Sequence, residues 1–496
     1  MNLKKKLKFL ILIIICIFSF GKFNNIKIYS LSEISKRNIL KVSTNAEFEP
    51  FEFHDGDKIT GIDIEIAEKI TEKLSEKLNK KIKLEINDVS FDALTLEISN
   101  HTCDFAISAM SYSDDKSHGV DFSIPYYIAS QSILVLNSSD IKNHEDLHNK
   151  NIGVQIGTTG DLYCTQNFKD SRIERYNQIS DAVTDLENKR IDVIIVDDLP
   201  ARNLARILNN KAKVLEDSLF EESYRIVVPE GRKELLEFIN NIIEELDNSG
   251  ELKHITDKYI TVSASSDRSL KARIHRSLFE KDRYKIILTG LYNTLRITIV
   301  ALLIGLIIGT LISVINTSES NNIFTKILKF IAKIYLVIIR GTPAAAQLFV
   351  THFIIFASSG LNKITIAMIA FGINSGAYVS EIIRSGIISV DVGQYEAARS
   401  LGLSRKITMI KIIVPQAIKI VLPTLINELI QLVKETSVAG FIGVTDLSRA
   451  GDIIRSSTYE PTVPLITISV IYLIIVSIFG SVFSRLEKRL RKSAKN

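Results

Sequence analysis

A chain of 496 residues exceeds the usual size of one domain, so two or three domains are expected. The net charge of +5 is small and its basic excess lies toward the two ends, which leaves no nucleic-acid footprint. Apolar residues make up 46% but are unevenly spread: they crowd the first 20 positions and the region from Ile286 onward, while 38–262 has the composition of a soluble domain.

The chain opens with Lys4, Lys5, Lys6 and Lys8, then an apolar run from Phe9 to Phe20. The run is short for a membrane span, and a basic start before it is the pattern of a secretory signal. Ser19-Phe20-Gly21 stands where an A-x-A cleavage site would be sought, and Cys16 lies inside the run. Residues 1–24 are thus a signal peptide or an uncleaved anchor, and either sends the following segment out of the cytoplasm. Of the remaining cysteines, Cys103 and Cys164 are expected as free, buried thiols, and no metal-ligand spacing occurs.

Through 38–262, strand and helix signals alternate. Leu40–Thr44, Phe105–Ile107, Asn151–Val154 and Ile191–Val196 read as strands, and Ile62–Leu78 as an amphipathic helix. Such alternation predicts an α/β domain with largely parallel strands, whose ligands bind at the carboxyl ends. Polar clusters fall there: Asn45, Ser108–Ser111, Gly157-Thr158-Thr159-Gly160 and Asp197. His101, His118, His144 and His148 are scattered, and no nucleophile–base constellation appears.

A polar, basic linker (263–285) leads to five apolar segments near Ile286–Ile315, Ile327–Phe356, Ile364–Ile383, Ile418–Val444 and Val463–Phe483. Arg340-Gly341-Thr342-Pro343 interrupts the second, predicting a kink or an amphipathic helix that turns into the span. The basic tail (486–496, including Lys488, Arg489 and Arg491) belongs in the cytoplasm by the positive-inside rule. Five crossings then place 38–262 outside, and the segment between the third and fourth spans inside. In the fourth span Glu428, Gln431 and Glu435 share one helical stripe. They either line a polar pathway or bond to neighbouring helices.

Four runs in the soluble half, Thr44–Phe53, Gly61–Glu65, Val120–Tyr127 and Gly153–Gly160, resemble type II solute-binding proteins for polar amino acids. The resemblance implies a two-lobed, periplasmic-binding-protein-like fold with a ligand between the lobes. Carried over residue by residue, Phe48 and Phe91 sandwich the ligand side chain, and Ser108, Ala109 and Ser111 offer backbone and hydroxyl contacts. Gly157, Thr158 and Thr159 form the site for the α-carboxylate, Asp197 pairs with the α-ammonium, and Asn45 and Gln155 line the side-chain end. Read without the family, Phe48 and Phe91 are equally core aromatics and Asp197 equally a helix cap. Lys116 stands where the family places an arginine, exchanging a bidentate fork for a point charge; it clamps the carboxylate more weakly or points to solvent.

Between the third and fourth spans, residues 393–415 carry Glu396-Ala397-Ala398, then Gly402, then Ile412-Ile413-Val414-Pro415. This pattern resembles the coupling loop of ABC importer permeases, and Gly290–Leu295, Arg340–Pro343, Asn374–Gly386 and Lys434–Ser437 extend the resemblance over 286–485. It implies an all-α polytopic membrane domain of the type I importer kind. Glu396, Ala397, Ala398 and Gly402 would dock on a cytosolic ATPase, and two such chains would pair with two ATPases. No G-x-x-x-x-G-K-[ST] phosphate loop occurs, so ATP belongs to a separate polypeptide and the chain needs no cofactor of its own. The expectation is a multi-pass plasma-membrane subunit of an amino acid importer, not an enzyme, with the binding domain extracytoplasmic. A ligand-gated channel or a sensor with the same ectodomain is the rival, and would need a pore loop or a cytoplasmic output domain. A dehydratase on the same fold would need an acid–base pair in the cleft.

Overall fold

A computed structural model describes residues 31–112, 119–208, 211–260, 269–318, 322–357 and 359–492. The signal or anchor segment, Cys16, Lys116, His118 and the end of the tail lie outside these.

The soluble half contains strands β1 (Ile39–Thr44), β2 (Glu47–Phe48), β3 (Glu52–Asp55), β4 (Lys58–Thr60), β5 (Lys83–Asp88) and β6 (Phe105–Ala106). They are followed by β7 (Val120–Leu136), β8 (Asn151–Gln155), β9 (Arg172–Tyr176), β10 (Val193–Asp197) and β11 (Ala212–Pro229). Its helices are α1 (Leu31–Arg37), α2 (Ile62–Leu78), α3 (Phe91–Ser99), α4 (Thr159–Asn167), α5 (Ile179–Glu187), α6 (Asp198–Ile207), α7 (Lys233–Asn248) and α8 (Glu251–Ile260). Among the described residues, α1 lies ahead of residue 38, and its Leu31 and Ile34 are buried in the domain's core.

One sheet runs β5-β1-β6-β11-β7-β10-β8-β9, with β2, β3 and β4 forming a separate small sheet. β1 pairs in parallel with β5 and β6, and β8 with β10 and β9, so each lobe has the parallel core expected. The lobes are joined by β7 and β11, long antiparallel strands that pair in both lobes. Their register slips between Val214 and Ser218, between Ser218 and Glu221, and around Arg225. Bulges of this kind bend a strand, and the bends fall where one lobe ends and the other begins. Lobe 1 centres on Leu40, Phe51, Ile66, Phe105 and Ile239, and lobe 2 on Ile133, Val154, Leu186, Val193 and Leu204. Cys103 and Cys164 are buried and unbonded, as expected.

The membrane half begins with α9 (Leu270–Ile274) and continues as α10 (Tyr284–Thr317), α11 (Ile323–Arg340), α12 (Ala344–Phe349), α13 (Lys363–Ile388) and α14 (Val392–Ser400). It ends with α15 (Arg405–Thr408), α16 (Val414–Glu435), α17 (Leu447–Thr458) and α18 (Thr462–Lys492). The stretch expected as a plain linker carries α9, whose Arg273 makes a bidentate ion pair with Glu460 at 2.6 and 2.7 Å. Among the described residues, four helical segments are long and apolar enough to cross a membrane. The expected second span is different in kind. Lys326, Lys329, Lys333 and Arg340 make α11 amphipathic, the chain turns at Gly341–Pro343, and α12 with the π-helical turn Val350–Ile355 forms a shorter apolar helix.

Helices α10 and α13 pack closely along their length. A Cβ on Gly305 would meet Ser375 Oγ at 2.8 Å, and one on Gly309 would meet Val379 Cγ1 at 2.7 Å. In return, a Cβ on Gly372 would meet Ile304, and one on Gly376 would meet Ile308. Small residues four apart on both helices let the backbones approach, which is how helices associate where burial of apolar surface gives no driving force. Gly309→Leu should therefore force the pair apart, at a cost of ~1–3 kcal/mol or more for overpacking. Gly480→Leu, at a position where a Cβ meets nothing within 4 Å, should be silent. Thermal unfolding of the two full-length variants in detergent checks this: a lowered Tm for the first only is expected.

Candidate functional site

A cavity lies between the lobes, lined by Asn45, Phe48, Glu52, Phe91, Ser108, Ala109, Ser111, Gln155, Thr158, Thr159 and Asp197. Most of the lining comes from strand ends and helix starts: Asn45 leaves β1, Ser108–Ser111 leave β6, Gln155 ends β8, Asp197 ends β10 and Phe91 opens α3. Gly157, with φ of +77°, shapes the turn into α4 but does not line the cavity. α4 starts at Thr159, with Thr158 as its cap, so the helix start and its orphan amides lie at the cavity.

The geometry revises several roles. The Ala109 N–H donates to Asp63 Oδ2 at 2.8 Å, so it is not available to a ligand. Ser108 Oγ donates to Glu52 Oε1 at 2.7 Å and accepts from Asn45 N at 3.0 Å, which commits that hydroxyl to the wall. Thr159 Oγ1 donates to Glu222 Oε2 at 2.7 Å, and Thr158 Oγ1 to Gln155 O at 2.8 Å. What these residues can still offer is backbone, together with the helix-start field of α4. Asn45 is fixed from both ends, its Nδ2 donating to Val89 O at 2.9 Å.

Asp197 sits at the cap position of α6 but makes no side-chain cap bond. Its Oδ1 instead accepts from Gln131 Nε2 at 2.7 Å, and the same nitrogen reaches Glu222 Oε1 at 2.6 Å. Burial pushes the Asp197 carboxyl well above the usual range, and the nearby Glu222 charge adds to the rise. A carboxylate held this way beside a second one is a site that a cation would relieve. Gln131 and Glu222 come from the hinge strands β7 and β11; nothing local in the sequence marks them, because only the folded crossover brings them to Asp197.

Glu52 is a lining residue that sequence reasoning missed. It and Asp63 are buried against each other. Burial raises the Glu52 carboxyl, and the neighbouring Asp63 charge raises it further. Burial likewise raises Asp63, to about 6, with the Ala109 amide and the Tyr126 hydroxyl (2.9 Å) pulling against the rise. Two carboxyls in one low-dielectric site share a proton near neutral pH.

In the membrane half, Ser375 Oγ donates to Glu428 Oε1 at 2.8 Å, and Gln431 Nε2 to Glu435 Oε1 at 3.0 Å. Nearby, Asn374 Nδ2 donates to Gln347 Oε1 at 2.9 Å, which ties α12 to the middle of α13. Glu428 is thus bonded across helices, while Gln431 stays exposed on α16. At the far end of α13 from the receptor, α14 presents Glu396 and Ala397 outward. Ala398 is buried, and Tyr395 of the same helix packs onto the cluster of Val390, Ile413 and Ala417. Gly402 follows with φ of +79° and open space around it, and Leu401 beside it is 83% exposed.

A closing two-lobed receptor joined to a polytopic helical domain, with an exposed helix on the opposite face, defines the membrane subunit of a binding-protein-dependent importer. Residues 40–262 match the bacterial extracellular solute-binding proteins, family 3, and residues 301–492 match the binding-protein-dependent transport system inner membrane component. The putative glutamine transport system permease protein GlnP of Rickettsia typhi is 35% identical over 206 residues, covering 41% of this chain and 92% of that protein. The arginine transport system permease protein ArtQ of Bacillus subtilis is 36% identical over 209 residues, covering 42% and 93%. Holo ArgBP from T. maritima is 32% identical with a TM-score of 0.41, covering 46% of this chain and 99% of that one. The chain belongs to the amino acid ABC transporter permease family, here fused to its substrate-binding domain. It is a multi-pass plasma-membrane transport subunit with the receptor extracytoplasmic, and ATP hydrolysis lies with a separate ATPase.

The shared proton gives a test of the cleft wall. Both carboxyls titrate higher in the folded chain than the ~4 of unfolded ones, so their contribution to stability is full below pH ~4. It is lost as pH rises through about 6, the Asp63 value. In Glu52→Gln the amide can donate to Asp63 in place of the shared proton. The Tm of the wild type should fall more steeply between pH 5 and 8 than that of the variant; parallel curves from differential scanning fluorimetry would refute the shared-proton account.

Proposed function

We propose that the chain captures a polar amino acid between Phe48 and Phe91 and hands it to a pathway bordered by Glu428, Gln431 and Glu435, working as a homodimer with two ATPases. The α-carboxylate lies at the start of α4, where Thr158 and Thr159 bring helix-end amides to the cavity. The α-ammonium pairs with Asp197, a charge-assisted bond that offsets the burial of that carboxyl. Ser111 and the backbone of Ser108 and Ala109 complete the wall around it, and Asn45 and Gln155 meet the ligand's side-chain end. Lys116 acts as a supplementary positive charge on the carboxylate. The observation that carries this reading is the placing of a helix start and a buried, cation-seeking carboxylate on one small cavity. Relatives named for glutamine and arginine transport support a polar ligand.

On the cytoplasmic side, Glu396, Ala397, Leu401 and Gly402 form the face that meets the ATPase, which binds the ATP. Gly402 holds a left-handed conformation that an L side chain adopts at a cost of ~1–2 kcal/mol, so its replacement would reshape the loop.

Calorimetric titration of the full-length chain in detergent with each common amino acid tests the capture step. Binding of at least one polar L-amino acid, lost in Asp197→Asn, is expected, and failure of every amino acid to bind would reject the assignment. Leu401→Glu tests the coupling face. With the ATPase in proteoliposomes it should abolish uptake while leaving ligand affinity unchanged, and normal uptake would remove Leu401 from the docking surface.

A further inference from the structure

The receptor does not merely stand beside the permease; both of its lobes bond to one helix of it. From lobe 1, Glu47 Oε1 accepts from Arg449 Nη1 at 2.6 Å, and Asp88 Oδ2 accepts from Arg449 Nη2 at 2.8 Å. From lobe 2, Asp181 Oδ1 accepts from Arg455 Nη1 at 2.9 Å. Arg449 and Arg455 both belong to α17, whose start is fixed in the permease by Asp446 as cap and by Leu447 N donating to Thr294 Oγ1 at 3.0 Å.

Glu47 is where the two lobes and the permease meet. The oxygen that accepts from Arg449 also accepts from Gln178 Nε2 of lobe 2 at 3.1 Å. The bond from lobe 2 closes the cleft, and the bond from α17 lies on top of it. Glu47 itself follows Asn45 by two residues and precedes Phe48, so it moves with the cavity wall. A second cavity of about 230 Å3 lies directly above, bordered by Glu47, Gln178, Arg449 and Arg455, and it shares Asn45 and Phe91 with the ligand cavity. α17 therefore covers the mouth of the cleft and bridges its two edges.

Resting on the reading of this cleft as an amino-acid site, we infer that α17 is a latch: Arg449 on lobe 1 and Arg455 on lobe 2 hold the lobes together, so the permease domain is itself a determinant of the receptor's ligand affinity. The geometry requires this. A rigid helix of 12 residues can bond to both lobes at once only near one separation of the lobes, here the one in which Gln178 of lobe 2 bonds to Glu47 of lobe 1. Interactions made only in the closed state favour that state, and whatever favours it must tighten the ligand that also favours it. The charges are suited to the task. Burial works against the Asp88 carboxylate, yet Arg449 and then His54 (3.1 Å) more than offset it and hold its pKa below the usual carboxylate range. A buried pair of this kind gives little net stability but a large penalty when one partner is withdrawn, which makes the contact selective for one arrangement.

The test uses the full-length chain in nanodiscs and the amino acids found to bind it. Arg455→Gln is the primary variant, because Asp181 is partly exposed and tolerates loss of its partner; Arg449→Gln is the second, with thermal unfolding to show that it folds. Each should weaken ligand affinity several-fold or more, within the 5–150-fold range of coupled sites, through faster ligand release. Asp181→Asn should have an effect that does not add to that of Arg455→Gln. Affinities within twofold of wild type in folded Arg455→Gln and Arg449→Gln, with the wild type binding, would overturn the latch alone. A wild type that binds no amino acid would overturn the cleft assignment and the latch with it.

Discussion

The contact between α10 and α13 is the axis on which the molecule is built. α13 has 26 residues and so runs about 39 Å, enough to cross a bilayer with turns to spare. Its first residue, Lys363, lies 3.1 Å from Glu97 of the receptor, and its last turn leads directly into α14 on the opposite face. One receptor contact and the helix of the opposite face are therefore placed at the two ends of one rod. α10 can brace it only because Gly305, Gly309, Gly372 and Gly376 remove the side chains that would hold the backbones apart. A displacement at either end must pass along this pair or bend it, and close packing makes bending costly.

Against that rod and α17 the receptor is held mainly by ion pairs, with Tyr459 packing on the apolar core of lobe 2. Glu97 accepts from Lys363 and from His352 Nε2 at 3.3 Å, Asp88 and Glu47 meet Arg449, and Asp181 meets Arg455. Burial raises the cost of the Glu97 charge, but Lys363 and then the His352 bond outweigh it and lower its value to about 2. An apolar seam would hold the receptor in any orientation that buried area. Ion pairs with fixed partners hold it in one, and they are released when the geometry changes. A receptor that must open, load and close on each cycle is better served by the second kind of seam.

Much of this was legible in the residues. The alternation of strands and helices, the polar strand ends and the apolar spans are local patterns, and the cavity gathers Asn45, Thr158, Thr159 and Asp197 from the polar ends so read, together with Phe48, Phe91 and Gln155, which only the family resemblance assigned. What was not legible depends on distance in the fold. Glu52 reads as one more carboxylate until Asp63 is seen against it. Gln131 and Glu222 belong to strands whose importance lies in crossing between lobes. Ala109 falls in the correct loop, but only the structure shows its N–H already given to Asp63. The composite second segment was legible in kind, since Arg340-Gly341-Thr342-Pro343 predicts a kink or an amphipathic helix turning into the span, but its four basic residues lie along an otherwise apolar run, so hydropathy alone counts it as one full span.

The two halves are linked by the same logic at both faces of the membrane. On the outer face, α17 is capped by Asp446, and Gly290 of α10 lies so close to it that a Cβ there would meet Asp446 O at 2.6 Å. On the inner face, Tyr395 packs α14 against Ile413 and Ala417 at the start of α16, whose other end leads through Thr436–Ile442 back toward α17. Helix α16 thus joins the ATPase-facing helix to the receptor-facing one within a single element and its short continuation, and Val421 packs tightly on Gly386 of α13 midway. A push on α14 has a direct route to the helix that bonds to both lobes of the receptor. The route runs along α16 and its continuation, from α14 at one face to α17 at the other, with α13 packed alongside at Gly386.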